Sequence, residues 1–158
     1  MGEPLILGID PGLSGAAALV NQAGELVDVF DLPIAGEGKL TRIDGANLSR
    51  LLRATRPTAA IIEAVAARPG QGVSSMFRFG MATGVVAGVI GSLEIPIRWV
   101  SPASWKRAMR LTADKEAARL RALETWPNHA RDFARKHDHG RAEAALIAAY
   151  GLRERDAR

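Results

Sequence analysis

Several acidic residues of this 158-residue chain stand where an unused charge would be costly. Asp10 ends the apolar run Leu5-Ile6-Leu7-Gly8-Ile9, and Glu63 ends Ala59-Ala60-Ile61-Ile62. Glu143 opens an alanine-, leucine- and isoleucine-rich stretch, preceded closely by Asp138 and His139. A lone carboxylate is expensive to bury, so each of these should be paired or should hold a cation. Four carboxylates with no cysteine make a hard, oxygen-rich donor set. Such a set suits magnesium (Mg²⁺) or manganese (Mn²⁺) and not structural zinc. Two such ions about 4 Å apart can activate a water and stabilise the leaving oxygen of a phosphodiester. Crowded carboxylates also repel, which raises their pKa values until a metal binds. Each residue has a plainer alternative. Asp10 can cap its own turn, Glu63 can be an exposed strand end, and Asp138 can be a helix N-cap. His139, four residues before Glu143 and on the same helical face, can be a metal ligand, a proton carrier, a phosphate contact or none of these.

The elements that must position these groups follow from the pattern. Leu5–Asp10 and Ala16–Val20 read as strands around a turn bracketed by Gly12 and Gly15. Asn21-Gln22-Ala23-Gly24 is turn chemistry, and Leu26, Val29 and Phe30 mark a third strand. Residues 33–45 are polar and glycine-rich and read as a loop. Leu48, Leu51 and Leu52 have helical spacing, closed by Pro57. Ala59–Glu63 reads as a fourth strand, 73–93 as a long apolar helix, and Ile95–Val100 as a fifth strand. Ser101-Pro102 is a helix start with Ser101 as N-cap and Pro102 at the first helical position. A charged helix spans Asp114–Trp126, broken by Pro127, and a last helix runs from Asp138 or Gly140 to Leu152. This order predicts an α/β fold: one five-stranded mixed sheet, an antiparallel meander followed by right-handed crossovers, with helices on both faces. It matches the ribonuclease H-like architecture. There the first and fourth strands are parallel neighbours, so Asp10 and Glu63 lie at one end of the sheet and can share a cation.

The length predicts one domain over residues 1–158, large enough to fold without staples. The absence of cysteine excludes a disulfide framework, a thiolate metal site and a thiol nucleophile. Met1 to Pro4 carries no basic region and Leu5–Ile9 is short for a leader. Glycines interrupt the longest apolar candidate, Met81–Leu93, so no membrane span is expected. A soluble, cytoplasmic chain is the expectation. Residues 1–100 hold 8 basic and 9 acidic side chains, whereas residues 101–158 hold 13 and 8. A neutral first part with a basic last third suits a polyanion, as does an ordinary solvated helix.

The ordered motifs Gly8-Ile9-Asp10-Pro11-Gly12, Ile62-Glu63, Ser101-Pro102-Ala103-Ser104-Trp105-Lys106 and Asp138-His139-Gly140-Arg141-Ala142-Glu143-Ala144 resemble those of RuvC-type Holliday junction resolvases, in their phage and prophage-like branch. The resemblance runs over residues 4–152. It implies a ribonuclease H-like fold, a homodimer and Mg²⁺-dependent cleavage of branched DNA. It maps the first two acidic positions onto Asp10 and Glu63, and the last pair onto Glu143 and Asp138. Bacterial members place that last pair three residues apart. Here Asp138 and Glu143 are five apart and position 140 is glycine, which leaves Asp138 or His139 for the third ligand position. Those members also carry an aromatic wedge shortly after the second acidic residue. Ala64-Val65-Ala66-Ala67 stands there instead, and Phe77 is a candidate for the role or a core residue.

Gly80, Gly84 and Gly88 form a stripe at four-residue spacing, which implies close approach by another backbone: the chain's own sheet, or a partner helix across a two-fold axis. The resemblance favours the partner, through the helix Val73–Leu93. Lys115, just after Thr112 and Asp114, is placed for the scissile or an adjacent phosphate, or is a solvated lysine. Lys106, Arg107 and Arg110 cluster near it. Arg68, Arg78, Arg135, Lys136 and Arg141 are further backbone-contact candidates. Trp99, Trp105 and Trp126 are expected to pack. The leading expectation is a dimeric Mg²⁺-dependent endonuclease for four-way or other branched DNA, its metal held by Asp10, Glu63, Asp138 and Glu143. The rivals are a nuclease for RNA and a non-catalytic junction-binding protein. A pure polyanion binder gains nothing from clustered negative charge.

Overall fold

The computed structural model describes residues 3–67 and 69–156. Its strands and helices run β1 Leu5–Asp10, β2 Ala16–Asn21, β3 Leu26–Asp31, β4 Ile34–Ala35, β5 Arg42–Ile43, α1 Gly45–Thr55, β6 Ala59–Glu63, α2 Val73–Ser92, β7 Ile97–Val100, α3 Pro102–Ala108, α4 Lys115–Thr125 and α5 His139–Asp156. Short 3₁₀ segments cover Gly38–Leu40, Pro127–Phe133 and Lys136–Asp138. The main sheet has the order β3-β2-β1-β6-β7. Strands β1, β2 and β3 pair antiparallel, while β6 lies parallel to both β1 and β7. This is the expected five-stranded mixed sheet with helices on both faces.

Residues 33–45 depart from the expected loop. They form a small second sheet in which Ile34 and Ala35 pair with Ile43 and Arg42. Buried Ile43 anchors it to the core, a side-chain contact that polar and glycine-rich composition does not reveal. Asp44 then caps α1 by accepting from the Asn47 amide at 3.0 Å. The cap at Ser101 is as expected: its hydroxyl accepts from the Ser104 amide at 3.1 Å, with Pro102 in the first turn.

Strand alternation sorts the core into two layers. Ile6, Ala16, Ala18, Val20 and Ile61 join one cluster with Trp105, Ala118, Ala122, Trp126, Phe133 and the apolar residues of α5. Leu7, Ile9, Ala17, Leu19, Ala60 and Ile62 join the other with Leu48, Leu52, Ala82, Val86 and Ile90 of α1 and α2. All six residues of β2 are buried, as a strand covered on both faces must be. On the first face α5 lies unusually close to the sheet. A Cβ on Gly8 would collide with the Ala144 carbonyl oxygen, and one on Gly151 with the Ile61 side chain. Those two glycines are what let helix and sheet approach.

The other long helix, α2, behaves differently. Only Ala82, Val86 and Ile90 are buried, while Val73, Phe77 and Met81 are exposed. Nothing lies within 4 Å of a Cβ built on Gly80, Gly84 or Gly88. The stripe therefore faces away from the chain's own sheet. Twenty residues of mean hydropathy 1.5 also make α2 long and apolar enough to cross a membrane by composition, which the sequence reading did not expect. One side of it is packed into the core.

Candidate active site

The same alternation places the functional groups. Asp10 follows Ile6 and Gly8 on the face that receives α5, and Glu63 follows Ile61 on that face. Ile9 pairs with Ile62, so the two carboxylates end adjacent parallel strands. Glu143 enters from the first turns of α5. The three carboxylates line one cleft of about 930 Å³, together with Lys106, Lys115 and His139. The turn after Asp10 is closed by the Gly15 amide donating to the Gly12 carbonyl at 3.1 Å, with Gly12 at φ 126°. Gly140 serves the same convergence. A Cβ there would stand 3.2 Å from Asp10 Oδ2 and 3.2 Å from the Ser14 carbonyl, so a bare backbone lets α5 begin against Asp10.

The electrostatics are those of a crowded anionic site. Burial, then Glu143, then Glu63 hold the Asp10 pKa well above the ordinary 3.8, against a smaller pull from Lys115 and Lys106. Glu63 and Glu143 are each 6 % exposed. Glu63 Oε1 accepts from the Trp105 indole Nε1 at 2.8 Å. Glu143 Oε1 pairs with Lys106 Nζ at 2.9 Å. Lys115 Nζ lies 3.4 Å from His139 Nε2. His139 Nδ1 lies 3.5 Å from the Lys136 carbonyl.

Asp138 is the expected ligand that the structure does not bring to the others. It is 3 % exposed, yet its carboxylate is committed to Arg135: it accepts from the backbone amide at 2.8 Å and from the guanidinium at 2.9 Å. Burial raises its pKa, but the hydrogen bonds from Arg135 outweigh burial and leave it lowered. The reason is local: Asp138 ends the 3₁₀ turn before α5, and Arg135 at the start of that turn claims both of its oxygens. Asp138 braces the start of α5, whereas His139, four residues before Glu143, shares its face and lines the cleft.

Among the described residues no three acidic or histidine groups are already drawn together as a metal-binding cluster. The donor chemistry nonetheless fits a hard divalent ion. Asp10, Glu63 and Glu143 converge at raised cost to Asp10, and a cation, the Lys106 ammonium, is already held by Glu143.

The remaining basic candidates divide. Arg78 and Arg107 line the cleft with Lys106 and Lys115. Arg141 is tied to Asp31 by hydrogen bonds of 2.7 and 2.8 Å, and Arg135 to Asp138. Arg68 lies outside the described residues. Of the tryptophans, Trp105 and Trp126 are buried and Trp99 is 48 % exposed, contrary to the expected packing. Phe77 is 67 % exposed and is not a core residue. Sequence reasoning missed two partners. The sequence marks Lys106 only as one of a basic cluster and Trp105 only as a packing residue, and the available signal is their neighbourhood, Ser-Trp-Lys after a capped helix start.

Comparison with solved structures gives three informative matches. T. thermophilus RuvC in complex with Holliday junction substrate aligns at 20 % identity over 96 % of each chain, with a TM-score of 0.67. The yeast mitochondrial Holliday junction resolvase Ydc2 aligns at 16 % identity over 96 % of this chain and 80 % of its own, with a TM-score of 0.55. The fowlpox virus Holliday junction resolvase aligns at 14 % identity over 97 % and 98 %, with a TM-score of 0.56. No family model and no curated protein matches the sequence. The likeness establishes the ribonuclease H-like fold of the RuvC-type structures.

Proposed function

We propose that this chain is a homodimeric, Mg²⁺-dependent endonuclease that cuts Holliday junctions or other branched DNA, with Mn²⁺ able to substitute. The observation that carries the reading is the convergence of Asp10, Glu63 and Glu143, from β1, β6 and α5, on one cleft rimmed by basic side chains. That its structural neighbours are Holliday junction resolvases supports the substrate class.

Asp10, Glu63 and Glu143 would hold the metal, with His139 beside them. When bound, the ion supplies a Lewis acid for the phosphodiester and lowers the pKa of water. The chain's own groups do the rest. Arg78, Arg107 and Lys115 bind and orient phosphates along the rim. His139 Nε2, 3.4 Å from Lys115 Nζ, places an imidazole beside the carboxylates within the cleft. Lys106, paired with Glu143 at 2.9 Å and lining the cleft, would be available to a substrate phosphate once Glu143 held a metal. The exposed apolar face of α2, with its glycine stripe, supports a second copy across a two-fold axis, which would present two clefts to one symmetric junction.

The test is cleavage of a synthetic four-way junction, a linear duplex and an RNA–DNA hybrid, with Mg²⁺ or with chelator, by wild type and Asp10→Asn. Metal-dependent cutting of the junction, lost in the variant, is expected. Preferential cutting of the hybrid would transfer the reading to an RNA substrate. Junction binding without any cutting would make the chain a binder.

A further inference from the structure

Charge is unevenly spread within residues 1–100. Five of their eight basic side chains, Lys39, Arg42, Arg50, Arg53 and Arg56, fall between positions 38 and 58, with one acidic residue, Asp44, among them. Asp44 is occupied in capping α1. All five cations are exposed, and other residues line the carboxylate cleft. Arg42 alternates with buried Ile43 on β5 and so points outward, two residues before the α1 cap. On α1, Leu48 and Leu52 face the core, which turns Arg50 and Arg53 toward solvent. Three of these groups donate to neutral oxygens: Arg42 to the Leu40 carbonyl at 3.3 Å, Arg50 to Asn47 at 3.3 Å and Arg53 to Ser49 at 3.4 Å. Among the described residues none of the five is in an ion pair, whereas Arg119, Arg135 and Arg141 pair with Glu116, Asp138 and Asp31.

We propose that this strip, running from Arg42 along the outer face of α1 to Arg56, is a second DNA contact that holds the backbone of a duplex arm beyond the catalytic cleft. The side chains suit that occupant. Four of the five are arginines, whose planar guanidinium matches phosphate oxygens. The 11 residues of α1 extend about 16 Å, and each strand of a duplex offers a phosphate about every 3.4 Å along its axis. Because α1 packs on the sheet face opposite α5, the strip is separate from the basic rim of the cleft. Helix electrostatics do not account for it. A cation suits the last turn, where Arg53 lies, but Arg42 stands ahead of the helix, where the positive end of the dipole disfavours it. Arg56 is an independent pointer. It ends α1 in the left-handed conformation, φ 51° and ψ 56°, where glycine is the usual residue. A side chain there strains the backbone, so this guanidinium is kept against local preference.

This inference rests on the branched-DNA reading above, and the experiment separates the two. Affinity for a synthetic four-way junction is measured in chelator over a series of salt concentrations. The proteins are wild type, Arg50→Gln with Arg53→Gln, Arg56→Gly and a charge-matched control, Arg131→Gln with Arg153→Gln, whose arginines are exposed elsewhere. The slope of log affinity against log salt should flatten by about 0.9 for each phosphate contact removed, hence by about 1.8 in the Arg50 and Arg53 double variant. The control should keep the wild-type slope. Arg56→Gly should lose about 0.9 in slope yet melt at or above the wild-type temperature, because glycine relieves the left-handed turn. A merely structural arginine would not part those two readouts. Cutting in Mg²⁺ with enzyme in saturating excess should keep the wild-type rate in every variant, since the strip binds and does not catalyse. A wild-type slope in the double variant, or an equal loss in the control, overturns the inference and leaves the cleft reading intact. A double variant whose sedimentation no longer matches wild type also overturns it, by giving the strip to contact between copies. A wild type that binds no branched DNA overturns both readings. Should the double variant fail to fold, the slope of Arg56→Gly decides.

Discussion

The two long helices cover opposite faces of one sheet, but only one is enclosed. In α5 every residue from Ala142 to Ala148 is buried, between the sheet on one side and α4 with the 3₁₀ segments on the other. In α2 three residues are buried and the opposite side offers Phe77, Met81 and a line of glycines to solvent. A helix that is hydrophobic all round is normally buried all round. The described residues enclose the middle of α5 and leave the outer side of α2 exposed. The difference also separates their tasks. α5 carries His139 and Glu143 to the cleft in its first turns, and α2 carries the exposed apolar face on which the proposed dimer would form.

The largest effect should come from the chemistry of α5. Glu143→Gln removes one of the three converging carboxylates, and junction cleavage at saturating Mg²⁺ should fall by about 10²- to 10³-fold or more. Asp138→Asn, five residues earlier, should keep most of the activity and cost about 1 kcal/mol of stability, because it weakens a cap and not a metal site. Equal losses of cleavage in the two variants would erase the distinction drawn between the two acidic residues of this segment. Next in size is the outer face of α2. Gly84→Arg meets nothing within the chain, so the subunit should fold normally, while sedimentation should show a monomer where wild type is a dimer. A wild type that sediments as a monomer, or a Gly84→Arg variant that remains dimeric, would remove α2 from the interface.

Much of this architecture was legible because charge and hydrophobicity disagree at informative places. Asp10 and Glu63 each close a run of buried residues, so their strand ends, their common face and their adjacency follow from alternation once β1 and β6 are neighbours. Glu143 was legible for the same reason. Asp138 looked equivalent because spacing alone does not say which way a residue at a helix boundary turns, and the deciding partner, Arg135, precedes it in a 3₁₀ turn. Lys106 and Trp105 were visible as a basic residue and a core residue. Their roles lie in the direction of one ammonium and one N–H, which depends on where α3 meets β6 in space. The small sheet of residues 33–45 was hidden because two-residue strands carry no periodicity. The glycine stripe left two readings open, since glycine permits close approach without naming the partner, and the open space outside α2 removed one of them.

A pair of identical substitutions sharpens the contrast between the faces. Gly8→Ala places a methyl against the Ala144 backbone, where neither β1 nor α5 can give way without losing contact. Overpacking of this kind typically costs about 1–3 kcal/mol, and a backbone obstacle belongs at the upper end. Gly84→Ala places the same methyl in open space on a helix, where alanine is favoured by about 1 kcal/mol. Urea unfolding of the monomeric subunit should therefore show opposite signs for the two variants. Destabilisation by both would mean that the outer face of α2 is already packed.

The smallest effect belongs to the fastening of α5 at the sheet's far edge, where Arg141 grips Asp31 at the end of β3. The hydrogen bond from Arg141 holds the Asp31 pKa below the ordinary 3.8, against a smaller opposing effect of burial. A carboxyl with a depressed native pKa adds stability that is complete above its unfolded value and disappears as pH falls through the native value. Asp31→Asn should thus lower the melting temperature at pH 7, and the gap should begin to narrow near pH 3.8 and close as the pH falls through the lower native value. Asp31 is 66 % exposed, so screening keeps the effect within about 0.2–1 kcal/mol, and added salt should shrink it further. A gap that persists unchanged into acid would show that Asp31 contributes through packing or turn geometry. The charge of Arg141 would then be free for another partner, and α5 would carry one more cation near the cleft.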